Sequence, residues 1–216
     1  VTAPAHPLAD LTVLDQFKTN PFPPGFPLDV RTFYSPVDDL HGALAYVIGC
    51  AQQEVLLAMF GLDDDALAAA LKSKMADPSI HVELTLDSSQ AGGVHERTLL
   101  ATEAFPNSSV AVGRSEHGAI MHLKMLVIDA TILVTGSTNW SASAEHLQDN
   151  ELTVTIHPAR AAEARLRIAA IHANMLTKGA QPARRSILWR GGRNVWSTEW
   201  LRPVVKPFTK LVKDEP

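Results

Sequence analysis

The sequence predicts an α/β domain with a mixed, largely parallel sheet, and three observations carry that prediction. Apolar runs of strand length alternate with stretches of helical spacing from Asp29 to Gly113. Two more short apolar runs, around Leu126 and Leu133, are separated only by a tight polar turn, which adds an antiparallel pair. A long amphipathic stretch, Ala159 to Leu176, then supplies a helix to cover a sheet face. Strand–helix alternation of this kind encloses a sheet between helix layers.

In chain order, residues 1–28 hold Pro4, Pro7, Pro21, Pro23, Pro24 and Pro27, and read as an extended N-terminal arm wrapping the domain, or a disordered leader. Asp29 to Tyr34 is the first strand, closed by Ser35-Pro36. Leu40, Leu44, Val47, Ile48 and Ala51 mark a helix over Leu40–Gln53. Val55 to Phe60 is apolar throughout, as expected of a strand covered on both faces. Asp63, Asp64 and Asp65 invite a metal reading, but capping of the helix Ala66–Met75 accounts for them. Ile80 to Leu86 alternates, with His81 and Glu83 opposite the apolar face. A polar loop Asp87–Gly93, a helix Val94–Glu103 and a strand Ser109–Gly113 follow. After the hairpin come a short helix Ala142–Gln148, a strand Glu151–Ile156 and the long helix, bounded by His157-Pro158 and Lys178-Gly179.

With 216 residues the chain suffices for one domain with appendages and a sizeable core. No apolar run approaches the length of a membrane span. Val1-Thr-Ala-Pro-Ala is not a typical secretory signal, and a start other than Met is compatible with export after signal removal. Cys50 is the one cysteine, which excludes an intrachain disulfide and a multi-cysteine zinc site. From Pro182 to Pro216 eight basic residues face three acidic ones, a net of +5, leaving −9 for the rest of a −4 chain. A basic extension with Trp189, Trp196 and Trp200 suits a polyanionic partner or packing against the acidic body.

The chemistry concentrates in His122–Ser141. His122 and Lys124, two apart on a strand, leave the same face. Asp129-Ala130 turns the chain into a second strand, which Gly136 ends in a Gly136-Ser137-Thr138-Asn139 turn. A histidine, a cation and a polar turn delivered to one sheet edge suit a phosphate. The composite pattern His122-x-Lys124, four residues, Asp129, six residues, Gly136-Ser137 resembles the HKD motif of the phospholipase D superfamily without a gap. Asn139 and Trp140 extend the likeness.

The resemblance covers roughly Asp29 to Leu176 and implies an α-β-α sandwich, a phospholipase D-like catalytic unit. The motif occurs once, and single-copy members pair two identical motifs in a homodimer, so a shared, C2-related active site is expected. It further implies that His122 of one subunit attacks phosphorus to form a phosphohistidine while the other His122 protonates the leaving oxygen. Lys124 and Asn139 stabilise the phosphate oxygens, and no metal or other cofactor takes part. A carboxylate behind His122 is expected at the strand after the turn. Glu151 is the candidate, with Asp149 competing. Ser137, Thr138 and Trp140 are expected at the substrate, and Asp129 and Gly136 are assigned structural roles.

Metal catalysis is the competing chemistry, but the sequence has no His-Glu-x-x-His and no local His/carboxylate cluster of ligand spacing. His6, His41, His81, His95, His117, His146, His157 and His172 are scattered. His95-Glu-Arg97 follows a strand end, where α/β sheets place ligands. For substrate, the single motif and the Arg/Trp content of the tail favour DNA or RNA cut without sequence preference. A phospholipid phosphodiesterase and a non-catalytic nucleic-acid-binding module are the alternatives.

Overall fold

The computed structural model describes residues 6–90 and 105–179. In order, these form β1 (Val30–Ser35), α1 (Leu40–Gly49), β2 (Glu54–Met59), β3 (Leu62–Asp63), α2 (Asp65–Ala76), β4 (His81–Asp87) and β5 (Ser108–Gly113). Then come β6 (Lys124–Ile128), β7 (Ile132–Gly136), β8 (Trp140–Ser141), α3 (Ala142–His146), β9 (Asn150–Ile156) and α4 (Pro158–Gly179). The helix expected at Val94–Glu103, with His95 and Arg97, and the basic extension from residue 180 onward lie outside the described residues.

The main sheet has seven strands in the order β1-β9-β7-β6-β2-β4-β5. The ladders β2·β4 and β4·β5 are parallel, and the other four are antiparallel. Only β6 and β9 therefore run against the common direction of β1, β2, β4, β5 and β7. The mixed sheet is as expected, and its parallel character lies in strand direction more than in neighbour pairing. A second, two-stranded ladder joins β3 to β8.

Helices cover both faces. Leu44, Val47, Ile48, Leu67 and Leu71 of α1 and α2 pack with Val55, Leu57, Leu84, Leu126 and Val154. On the other face Ala161, Ala164, Ile168, Ile171 and Met175 of α4 meet Leu56, Ala58, Val127 and Leu133. Strand residues alternate between these layers because successive side chains leave opposite faces. Burying Ile168 and Ile171 contributes about 2 kcal/mol each. Arg165 ties α4 to the start of β2 through Glu54, 2.8 Å away. His172, buried in α4, is satisfied by the Thr85 and Ser109 hydroxyls at 2.9 and 2.7 Å. The described part of the proline-rich start packs onto the domain. Leu8, Leu11 and Leu14 are fully buried in the α1–α2 layer, and Thr12–Phe17 is a 3₁₀ turn. The regular spacing of these leucines, in a proline-free stretch between Pro7 and Pro21, was the available signal. Among the described residues no helix is long and apolar enough to cross a membrane.

Asp129 closes the β6–β7 hairpin at the edge where β2 begins. Its carboxylate accepts the backbone N–H groups of Gln52, Gln53 and Glu54 at 2.9, 2.7 and 2.8 Å, and meets His6 Nε2 at 2.8 Å. Burial alone would raise its pKa, but these donors outweigh it and hold the carboxyl below the usual range. Asp129 and Ala130 both have positive φ, 49° and 56°, at the centre of a tight turn in which the Thr131 N–H is donated to the Ile128 carbonyl at 3.2 Å.

Two stability predictions follow from this hairpin. Asp129→Asn should destabilise the fold by about 2 kcal/mol at neutral pH, because the acceptor loses its charge. A depressed folded pKa gives stability that is complete above the unfolded carboxyl value near 3.8 and lost as pH falls through the lower folded value. Urea titrations should therefore show the wild-type and Asn curves converging at acid pH. Ala130→Gly should instead stabilise by about 1 kcal/mol, since an L side chain is penalised at positive φ.

Candidate active site

The site forms where β6 starts. Because β6 is antiparallel to both neighbours, Lys124 lies opposite Met59 at the end of β2, and Met125 opposite Thr135 near the end of β7. The ends of β1, β2, β4, β5 and β7 and the beginnings of β6 and β9 thus share one sheet edge.

His122 lies two residues ahead of Lys124, the first residue of β6, and is exposed. Two contacts orient this stretch. Leu123 accepts the Phe60 N–H at 3.0 Å. The Met121 N–H is donated to the carboxylate of Asp87, which is fully buried at the end of β4. The His122 ring meets the Phe60 ring edge-on, with centroids 4.7 Å apart. Lys124 is 8% exposed. Its Nζ lies 5.0 Å from the Phe60 ring centroid and donates to the His122 carbonyl at 3.2 Å. Burial pushes the Lys124 amine below the ordinary lysine value. Its cation is thus held over an apolar ring with few competing partners, ready for an anion.

Asn139 is reached through the next residue, Gly61. The Gly61 carbonyl accepts the Trp140 N–H at 2.9 Å, and a Cβ at Gly61 would lie 3.2 Å from Asn139 Cγ. Asn139 lines a cavity of about 440 Å³ with Gly61, Leu62, Asp63, Ser141 and Ser143, and its buried Oδ1 has no hydrogen-bond partner among the described residues. Neither His122 nor Lys124 borders that cavity. The Phe60–Gly61 step is what connects it to them.

The remaining motif residues build the turn. A Cβ at Gly136 would run into the Glu151 carbonyl. Ser137 donates from Oγ to Asn150 Oδ1 at 2.9 Å and accepts the Glu151 N–H at 3.1 Å. Thr138 is fully buried and donates to the Glu151 carbonyl at 2.9 Å. Trp140 is 1% exposed and belongs to the α1–α2 core layer. The substrate contacts expected of Thr138 and Trp140 are corrected accordingly, since both side chains face inward. Apolar mass after the turn is a core signal as much as a ligand signal.

Glu151 also needs correction. Leu152 and Val154 point into the α1–α2 layer, as do Leu126 and Ile128, so Glu151 leaves the opposite face of the sheet from Lys124. Its carboxylate accepts from Thr153 Oγ1 at 2.5 Å. The β9 position on the Lys124 face is Asn150, an amide, whose Nδ2 donates to the Ala144 carbonyl at 3.1 Å. Asp149 is an exposed residue ahead of the strand. One residue of register separates the expected acid from the face that would make it useful.

The sequence reading missed four supporting residues. Phe60 contacts both His122 and Lys124, Gly61 contacts Asn139, Asp87 fixes Met121, and Asn150 anchors Ser137. The end of an apolar strand and the acid that ends β4 were visible signals. Their partners, far away in sequence, were not. Structure also gathers His41, Asp64 and Glu145, where the sequence offered no local cluster of ligand spacing. Asp64 is the N-cap of α2, accepting the Leu67 N–H at 2.7 Å.

Comparison with known proteins gives the family and the fold. Residues 44–170 match the family described as cardiolipin synthase, PLD-like domain. A phospholipase D of Rickettsia bellii is 25% identical over 137 residues, a match spanning 63% of this chain and 65% of the relative. NucT from Helicobacter pylori superposes with a TM-score of 0.58 at 23% identity, covering 67% of this chain and 96% of NucT. Nuc from Salmonella typhimurium, a phospholipase D family member, gives 0.55 at 20% identity, covering 68% and 94%. With more than half of its length matched and the same fold in these relatives, the chain belongs to the phospholipase D-like family.

Proposed function

We propose that the chain is a metal-independent phosphodiesterase that cleaves DNA or RNA as an endonuclease, through a phosphohistidine formed at a site shared by two subunits. The observation that carries this reading is the joining of exposed His122, buried Lys124 and pocket-lining Asn139 through the single step Phe60–Gly61. A phosphodiester is an anion that resists attack, so a nucleophile, a cation and a hydrogen-bond donor are the groups its cleavage needs.

One chain supplies one motif histidine, and the reaction needs two in opposite protonation states. In a C2 dimer, His122 attacks phosphorus, forming the P–N bond as the P–O bond breaks. His122 of the partner subunit gives its proton to the leaving oxygen. It then takes a proton from water, which attacks phosphorus and releases His122. Lys124 and Asn139 bind the non-bridging oxygens. Contacts limited to phosphate carry no base information, which supports broad sequence tolerance.

A phospholipid substrate is the second reading. It draws on the name of the Rickettsia relative and on Ile120, 46% exposed two residues before His122. Cleavage of single- and double-stranded DNA in excess EDTA, wild type beside His122→Ala, separates the readings. Metal-free cutting that drops about 10³-fold or more in the variant is expected. Cutting that needs a divalent ion and survives the substitution would sink the mechanism. Turnover of anionic phospholipid but not nucleic acid would select the second reading, and DNA binding without turnover would leave a binding module.

Lys124 makes a separate pH prediction. Its lowered pKa means that kcat/KM should fall, as pH rises, before the ordinary lysine range near about 10.4 is reached. Lys124→Arg stays charged and should lose this alkaline limb while lowering the plateau. Superimposable pH profiles would remove Lys124 from phosphate binding.

A further inference from the structure

Away from the motif, three ionisable side chains from three helices converge on the α1–α2 side of the sheet. His41 stands in the first turn of α1, Asp64 caps α2, and Glu145 lies in α3. His41 Nδ1 is 2.8 Å from Asp64 Oδ2 and 3.4 Å from Glu145 Oε2. One ligand-capable atom from each residue lies within 4.8 Å of the other two. Asp64 retains its Oδ1 for the Leu67 N–H, so Oδ2 is the atom turned to the cluster.

Glu145 is the informative member. Its side chain has no solvent exposure, and neither carboxylate oxygen has a hydrogen-bond partner among the described residues. A buried carboxylate without a hydrogen bond is costly, and structures retain one where something compensates it. Burial and the neighbouring Asp64 carboxylate push the Glu145 carboxyl up to about 7.

We propose that His41, Asp64 and Glu145 form a structural site for a divalent cation of the zinc class, distinct from the phosphate-cleaving residues. An imidazole and two carboxylates are an accepted zinc donor set, and one coordination position is left for water. Tetrahedral bonds of about 2.0 Å set ligand atoms about 3.3 Å apart, which the His41–Glu145 separation already meets. The His41–Asp64 hydrogen bond widens slightly as coordination replaces it. A divalent ion, two carboxylates and a neutral imidazole sum to zero, which removes the buried charge imbalance.

Its consequence is mechanical. Leu62–Asp63 pairs with Trp140–Ser141, so Asp64 and Glu145 flank the ladder that carries Asn139. An ion joining α1, α2 and α3 would clamp that ladder from outside without touching the reacting phosphate.

Zinc chloride titrated into the EDTA-stripped, dialysed full chain tests the proposal by calorimetry and thermal unfolding. One ion per chain should bind, with Tm rising by about 5 °C at saturation. Glu145→Gln keeps shape and fold while removing a ligand charge, and should weaken binding at least about 100-fold and abolish the Tm shift. His41→Asn should act likewise. His122→Ala should bind zinc as the wild type does. Absence of binding to the wild type would overturn the proposal and leave a cluster held by protons alone. Undiminished binding to Glu145→Gln, or loss in His122→Ala, would overturn it by putting the ion elsewhere. The readout is binding rather than turnover, so its failure is independent of the nuclease reading.

Discussion

One reversed strand sets up everything else. With β6 running against β2 and β7, its first residues meet their last ones. Were β6 parallel to them, Lys124 would sit at the opposite edge, beside the start of β2, and could not meet Phe60 or approach Asn139. The reversal depends on the tight turn through Asp129-Ala130, and the turn depends on the Asp129 carboxylate accepting three consecutive backbone N–H groups at the start of β2. The aspartate of the motif thus acts from the edge opposite the site. It fixes which strand ends face one another.

The fold carries buried charge in several ways, and the differences separate fully satisfied groups from half-satisfied ones. Asp129 is surrounded by donors, and its carboxyl is pulled down. Asp87 is buried against the Met121 and Ser89 amides. Lys124 has one carbonyl and an aromatic face, and burial pulls its amine down. A fully solvated framework charge has little to gain from a ligand. A half-satisfied one gains the whole difference, which is why Lys124 and Glu145 stand apart from Asp87 and Asp129.

Much of the fold was legible because its signals are local. Strand periodicity, helix caps and the hairpin turn each lie within a few residues, and the motif spans His122 to Asn139 without interruption. The prediction of two helix layers around a mixed sheet holds for the same reason. What escaped depends on register or on distant contacts. Glu151 and Asn150 are adjacent, and only the pairing of β9 with β7 decides which one faces Lys124. Trp140 looked like a ligand contact until its burial was known. Leu8, Leu11 and Leu14 fall in a stretch read as a wrapping arm or a leader, because the flanking prolines outweigh a spacing that only three leucines carry. His41, Asp64 and Glu145 are separated by 23 and 81 positions in the chain, beyond any spacing rule.

Gly136 bears on how variants of this family motif are interpreted. Its missing side chain is where the backbone of β9 passes, so any larger residue collides with the main chain at Glu151. An inactive protein made by changing that glycine would be evidence about strand packing, although the position sits inside the signature. Genetic screens that score the motif as one functional unit would count this architectural failure as lost chemistry. Sorting the signature by what each residue touches divides it into a part gathered around Phe60–Gly61, at His122, Lys124 and Asn139, and a part that holds the hairpin and the turn, at Asp129, Gly136 and Ser137.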